Sequence, residues 1–429
     1  MNFIYGKLKF KGDVLKSAFA KNFFTVLTGS VISQLILLIS SPLLTRLYTP
    51  EHFGILGLFN SIVLLFSVFP TLRYSNAIQI AGERRDALLI GNICFSISVA
   101  SSLVLLALIF FIKGLLLRYF NAEVLGNYLY FLPLYNFLLG CNDFLTVWFN
   151  RNSKFKMLSL SRIITAFLNV FTSVLWYVFF DPSFEGLVLG LIMGQVVAFS
   201  FLLMMNEFTF INIFKVSGNA FELIKKYKKF PIYSLPSDLI SVFVSQMPVL
   251  ILAAYMTKDV IGYYNMSLRI LGVPIIFIAG AIAEVYKQKA SQDYRETGNF
   301  NSTFLQTFRA LFLMSIIPFV LLVIFAPSLF SLIFGEQWYE AGVFARILAI
   351  MFFMKFIVSP LSYSYYIVEK QNEDLWGHIY MLLSNLIIFS LIKYYDIKLV
   401  LFVYALNYSL IYVFYFFRSY SFSLNKKGV

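Results

Sequence analysis

Runs of mostly apolar residues recur along the whole chain, separated by short polar turns. A helix needs about 20 such residues to cross the hydrocarbon core of a bilayer. Twelve segments of this kind are predicted, near 22–45, 53–72, 88–112, 126–149, 158–180, 184–206, 232–256, 260–284, 303–325, 340–366, 375–393 and 397–417. The ninth and tenth are divided by the piece Pro327 to Tyr339. No alternating ten-residue pattern recurs, so a β-barrel is a poor fit and an all-α integral membrane protein is expected.

Composition agrees. Of the 429 residues 60% are hydrophobic and only 13% charged, about half the roughly 25% usual for soluble domains. Mean hydropathy is +0.79. Too little polar surface remains to cover a soluble particle, which excludes a soluble enzyme and a disordered chain. Lys+Arg number 34 against 21 Asp+Glu, a net charge of +13. Basic residues resist translocation, so their distribution sets orientation. With the N-terminus inside, the inner segments hold 23 of them and the outer segments 6. Both termini are therefore expected in the cytoplasm. Lys7, Lys9, Lys11, Lys16 and Lys21 read as an inner anchor rather than part of a cleavable signal. All outer loops are short, leaving no outer domain for an active site. Cys94 and Cys141 lie in apolar runs with no metal-ligand neighbours and read as small buried hydrophobes. No metal and no cofactor is expected.

The longest inner connection divides the chain near its middle, giving an N-terminal six-helix lobe at 1–206, a cytoplasmic basic linker at 207–231 and a C-terminal six-helix lobe at 232–429. Within the linker, Phe221, Ile224 and Tyr227 fall one helical turn apart with lysines opposite. That pattern suits a helix on an anionic leaflet, or equally a solvated basic linker. Thr49-Pro-Glu51-His-Phe-Gly54 and Thr257-Lys-Asp259-Val-Ile-Gly262 share T-x-[D/E]-x-x-G at an offset of 208 residues. Threonine suits an N-cap and the acid suits the first turn. Equal spacing and orientation predict parallel repeats, two bundles facing a central cavity.

Polar residues inside a bilayer face protein or water. Ser234, Asp238, Ser241 and Ser245 share one helical face, as do Arg162, Thr165, Asn169 and Thr172. Further stripes carry Asn136, Gly140 and Asp143; Asn265, Arg269 and Gly272; Lys355, Ser359 and Ser362; Gln34, Ser41 and Thr45; and Asn60, Ser67 and Thr71. One such stripe is ordinary helix packing; seven point to a shared wet cavity. Charge there tilts positive, with Arg162, Arg269 and Lys355 opposing Asp143 and Asp238. These cations suit an anionic ligand, and the arginine fork suits diphosphate oxygens. Internal pairing of Asp238 with Arg269 is the structural alternative. Arg309 and Arg346 read as snorkelling to an interface. Tyr363, Tyr365 and Tyr366 are candidates for stacking on sugars. Pro42, Pro70, Pro248, Pro274 and Pro360 are candidate hinges or packing kinks.

Several ordered stretches are similar to the Wzx-type polysaccharide (O-antigen or capsule) flippases of the multidrug/oligosaccharidyl-lipid/polysaccharide exporter superfamily. They are Gly29 with Gln34, Pro42-Leu-Leu-Thr-Arg46-Leu-Tyr-Thr-Pro50-Glu-His-Phe-Gly54, Leu72-Arg73-Tyr74 with Ala77-Ile78, and Trp148-Phe-Asn-Arg151-Asn-Ser-Lys-Phe-Lys156. The second half adds Tyr227-Lys-Lys-Phe-Pro231, Pro236-Ser237, Ile261-Gly262-Tyr263-Tyr264 and Arg269-Ile-Leu271. Many relatives carry an acid after the Arg-Tyr pair, where this chain has Ser75-Asn76.

The resemblance implies a MATE-like fold of twelve helices in two lobes and a non-enzymatic transporter. Its passenger would be an undecaprenyl-diphosphate-linked oligosaccharide, moved from the cytoplasmic to the outer leaflet of the bacterial inner membrane by alternating access. Membrane lipid and polysaccharide polymerase or assembly proteins are the expected partners, and nucleic acid is not. Arg269, Arg162 and Lys355 are the candidate diphosphate or acidic-sugar contacts, with Arg46 and Arg73 at an entrance or exit. Asp143 and Asp238 are candidate H+ or Na+ coupling sites, or counter-ions. The alternatives are a drug/cation antiporter of the same superfamily, against which the positive tilt counts, and a polysaccharide polymerase or ligase. The latter would need an acid–base constellation, absent around His52 and His378.

Overall fold

The computed structural model describes residues 18–180, 182–205 and 218–424. Lys7, Lys9, Lys11, Lys16, Lys215, Lys426 and Lys427, which carry part of the orientation argument, lie outside them. Among the described residues eleven helices are long and apolar enough to span a membrane, and Pro50–Phe66 is a shorter apolar twelfth. The protein is a multi-pass, all-helical membrane protein. Its main helices are α1 (Ala18–Ile39), α2 (Ser41–Leu47), α3 (Pro50–Phe66), α4 (Ser75–Ile80), α5 (Arg84–Tyr119), α6 (Phe131–Arg151), α7 (Phe155–Phe179), α8 (Phe184–Met204) and α9 (Gly218–Lys226). They continue with α10 (Leu235–Tyr255), α11 (Lys258–Pro274), α12 (Gly280–Thr297), α13 (Asn301–Phe334), α14 (Tyr339–Leu361), α15 (Ser364–Ile367), α16 (Gln371–Ser390) and α17 (Ile397–Leu424).

The chain forms two compact units that interleave in sequence. One comprises Met1–Leu44, Ile62–Leu115 and Leu125–Leu239; the other comprises Thr45–Ser61, Leu116–Val124 and Ile240–Val429.

In the first unit α7 packs along both α1 and α8, and α6 packs against α8. Small residues make the α7–α8 approach close. A Cβ on Gly190 would sit 2.5 Å from Ser173 Oγ, and one on Gly194 would sit 2.9 Å from the Thr165 carbonyl, the small-xxx-small device of membrane helices. The basic linker helix α9 docks on this unit's core. Leu223 and Tyr227 are buried with Tyr74, Trp148 and Phe149, and the Tyr74 hydroxyl donates to the Ile224 carbonyl at 3.2 Å. Its buried face is thus Ala220, Leu223 and Tyr227, whereas Phe221 is exposed. The expected Phe221–Ile224–Tyr227 face is rotated because tertiary packing selects the side chains that fill the core. Lys225, Lys226, Lys228 and Lys229 stay exposed.

In the second unit α14 is the hub, packed against α11, α13 and α17. The helix α13 runs unbroken through Pro318 and Pro327, so the break expected from Pro327 to Tyr339 shrinks to Gly335 and one short turn, Glu336–Trp338. A proline in a membrane helix forfeits a single backbone bond, and tight neighbours compensate. Here Ala326 and Pro327 lie directly beneath Gly342 of α14. At Pro231 and Pro274 the backbone instead widens into π-turns, Phe230–Ser234 and Ile275–Ala279.

The two T-x-[D/E]-x-x-G turns meet within this second unit. A Cβ on Gly54 would fall 1.8 Å from the Lys258 carbonyl, and one on Gly262 would fall 2.0 Å from the Pro50 carbonyl. Lys258 stands 208 residues after Pro50, and Gly262 stands 208 after Gly54. The contacts are reciprocal, as a two-fold axis requires. Gly57 faces Asn265, its own equivalent at that offset, with a Cβ-to-Nδ2 distance of 2.0 Å. The repeat is therefore present in space. The caps differ: Thr49 Oγ1 accepts from the His52 N–H at 3.3 Å, while Thr257 makes no side-chain cap bond.

Candidate functional site

The first unit contains a polar cavity of about 390 Å³ among α1, α6, α7 and α8. From α1 come Ser30, Ser33, Gln34 and Leu37; from α6, Asn142 and Thr146; from α7, Ser161, Arg162, Thr165, Ala166 and Asn169; from α8, Gln195, Ala198 and Leu202. On each helix these positions recur at three- and four-residue spacing, so one face of each turns inward. Arg162 is the single charged residue among them, and its Nη1 donates to Ser30 Oγ. Asn142 Nδ2 donates to Gln195 at both Oε1 (2.7 Å) and the backbone carbonyl (3.2 Å). The Asn142 Oδ1 is buried with no hydrogen-bond partner among the described residues. Hydroxyls, amides and one guanidinium, without a carboxylate, can bind a polyhydroxylated ligand carrying negative charge.

A sharp turn between α3 and α4 holds the first unit's two expected acids. Leu72 (φ 45°) and Arg73 (φ 63°) sit consecutively in the left-handed region, which costs about 1–2 kcal/mol per non-glycine residue. Arg73 Nε lies 2.7 Å from Asp238 Oδ2, with the side chains 27% and 41% exposed. The contact is an ion pair without hydrogen-bond alignment at Nε. Asp238 therefore takes Arg73 as its partner, where pairing with Arg269 was the structural alternative. Asp143 Oδ2 accepts from Ser75 Oγ at 2.6 Å and Thr71 Oγ1 at 3.1 Å. The turn that lacks an acid of its own after Arg73-Tyr74 thus has the Asp143 carboxylate beside Ser75.

In the second unit Arg269 is half-buried on α11, one turn beyond Asn265. Lys355 is half-buried on α14 with Nζ 5.6 Å over the Phe352 ring. Arg46 is exposed in the last turn of α2. Neither Asp143 nor Asp238 lines the polar cavity, and Arg162 is the candidate cation that does. The predicted stripe on α7 contributes Arg162, Thr165 and Asn169, while Thr172 lies beyond it. Sequence reading missed Ser30, Ser33, Asn142, Thr146, Ser161 and Gln195. The signal was in Ser30 and Gln34, one turn apart; projection onward to Ser41 and Thr45 failed because the helix breaks at Ser40, before Pro42.

The membrane-spanning helical bundle has solved counterparts. The chain superposes on an inward-facing multidrug resistance MATE family transporter of the MOP superfamily with a TM-score of 0.70, 14% identity, and 92% and 93% of the two chains covered. It superposes on the lipid II flippase MurJ in an inward closed conformation with a TM-score of 0.71, 14% identity, and 94% and 90% covered. The fold is MATE-like. Residues 43–343, well over half of the chain, match the family described as polysaccharide biosynthesis protein, and the chain belongs to that family. It is also 22% identical over 186 residues to the teichuronic acid biosynthesis protein TuaB of Bacillus subtilis (strain 168). That match spans 43% of this chain and 38% of TuaB.

Proposed function

We propose that the protein is a flippase carrying undecaprenyl-diphosphate-linked oligosaccharide from the cytoplasmic to the outer leaflet of a bacterial inner membrane, for O-antigen, capsule or related polysaccharide assembly. The observation that carries this reading is the cavity around Arg162. Its nine uncharged polar side chains match sugar hydroxyls and its one guanidinium matches an anionic group. Family membership in polysaccharide biosynthesis supports a glycan passenger, and MurJ, named as a lipid II flippase, offers the same architecture with such a cargo.

In this reading the halves 1–206 and 232–429, joined by 207–231, alternate access with both termini in the cytoplasm. Arg269 and Lys355 add phosphate or acidic-sugar contacts, Arg46 and Arg73 act at the entrance or exit, and Asp143 and Asp238 couple H+ or Na+ or balance the cations. A polysaccharide polymerase or assembly protein would receive the product.

The test is complementation of surface glycan in a deletion strain. Arg162→Ala is expected to abolish export and accumulate lipid-linked repeat units, with Arg162→Lys partly active. Cationic-dye efflux from vesicles without any glycolipid effect would replace this reading by a drug antiporter.

A further inference from the structure

A second cavity, in the second unit, has the opposite character. It is a groove of about 510 Å³ between α13, α14 and α17, walled by Val320, Val323, Ile350, Phe353 and Phe402, with Arg346 the one charged residue along it. That is more than three times the about 150 Å³ known to hold one benzene in an apolar cavity. Its walls belong to an exposed apolar surface: Val320 is 51% and Phe402 47% exposed. They therefore face bilayer rather than a packed interior.

Arg346 is exposed and stands seven residues inside α14, about 10 Å from the helix start. That depth lies inside the hydrocarbon core for a helix of this length, within reach of a headgroup by extension of the long side chain. The nearby acid Glu340 is paired with Lys398 at 2.9 Å. Lys355, nine residues along α14, projects from the opposite side of the helix. The groove thus presents one positive charge and no negative one.

We propose that this groove binds an anionic glycerophospholipid of the bilayer, one acyl chain lying along Val323, Phe353 and Phe402 and the phosphate held by the Arg346 guanidinium. A zwitterionic lipid would bring an ammonium group that finds no acid in the groove, so the charge pattern selects a lipid such as phosphatidylglycerol. The site is separate from the Arg162 cavity and does not depend on what the protein transports.

The test uses the full chain, purified and delipidated in detergent, and titrated with phosphatidylglycerol or phosphatidylethanolamine under native mass spectrometry. Phosphatidylglycerol is expected to bind at least about tenfold more tightly than phosphatidylethanolamine, because both phosphates can accept from Arg346 and only the ethanolamine ammonium sets a second positive charge beside it. Arg346→Gln, at an exposed position, is expected to remove that preference without lowering the melting temperature of the lipid-free protein. Ile350→Trp, which fills the groove with Arg346 intact, is expected to weaken both lipids. Equal affinity for the two lipids, an unchanged preference in Arg346→Gln, or tight retention of polyprenyl phosphate with no phosphatidylglycerol bound would each overturn the proposal.

Discussion

Arg73 and Asp143 show how much a single side chain can decide. Arg73 occupies a left-handed backbone position and places its Nε 2.7 Å from Asp238. A pair this exposed is worth about 0–1 kcal/mol. Asp238→Asn should therefore shift the unfolding free energy by less than about 1 kcal/mol in a denaturant or thermal melt. Any larger loss of glycan export would then belong to transport rather than folding. Asp143 is held differently, by two hydroxyls from one turn. Removing the shorter contact with Ser75→Ala should cost about 1.5–3 kcal/mol, as for a hydrogen bond to a charged group; an unchanged melt would mean that the carboxylate has found water instead. The partners of both acids were illegible in sequence. Spacing places residues on a helix face, but Arg73-to-Asp238 and Ser75-to-Asp143 proximity depends on how a non-helical turn folds back, and no periodicity encodes that.

At the level of elements, the glycine contact of the two repeated turns is the most sharply determined feature. Carbonyl oxygens of Lys258 and Pro50 occupy the places where side chains of Gly54 and Gly262 would stand. Gly54→Ala and Gly262→Ala should each lower the melting temperature, by similar amounts, because reciprocal contacts are lost. Gly57→Ala should cost less, since it meets the movable Asn265 amide rather than backbone. A Gly54→Ala protein as stable as wild type would show that the helices α3 and α11 separate freely. Most helices were legible from apolar run length, including α7, whose Arg162-Thr165-Asn169 face does line a cavity. What failed were places where proline had to be interpreted. Pro42 follows a one-residue interruption of the helix at Ser40, whereas Pro318 and Pro327 sit inside a 34-residue helix. The difference lies in what packs around the ring, as with Gly342 over Pro327. The face of α9 was misassigned for a related reason: Leu223 and Ile224 are both apolar, and the core chose Leu223 as its fully buried member.

For the whole molecule, the composition already excluded a soluble enzyme, and the eleven apolar helices among the described residues, with the MATE-like fold, make it a multi-pass membrane protein. Two of its cavities differ in chemistry. One is lined by hydroxyls, amides and Arg162; the other is apolar with Arg346 along it. The central claim is that the Arg162 cavity receives a phosphorylated glycan. Its most direct measurement is binding of an undecaprenyl-diphosphate-linked oligosaccharide to the purified protein, compared between wild type, Arg162→Lys and Arg162→Ala. A lost charge-assisted hydrogen bond of about 1.5–3 kcal/mol corresponds to about 10- to 150-fold weaker binding. Loss on that scale in Arg162→Ala, with partial recovery in Arg162→Lys, is the predicted result. Equal affinity in all three proteins, with intact folding, would contradict it.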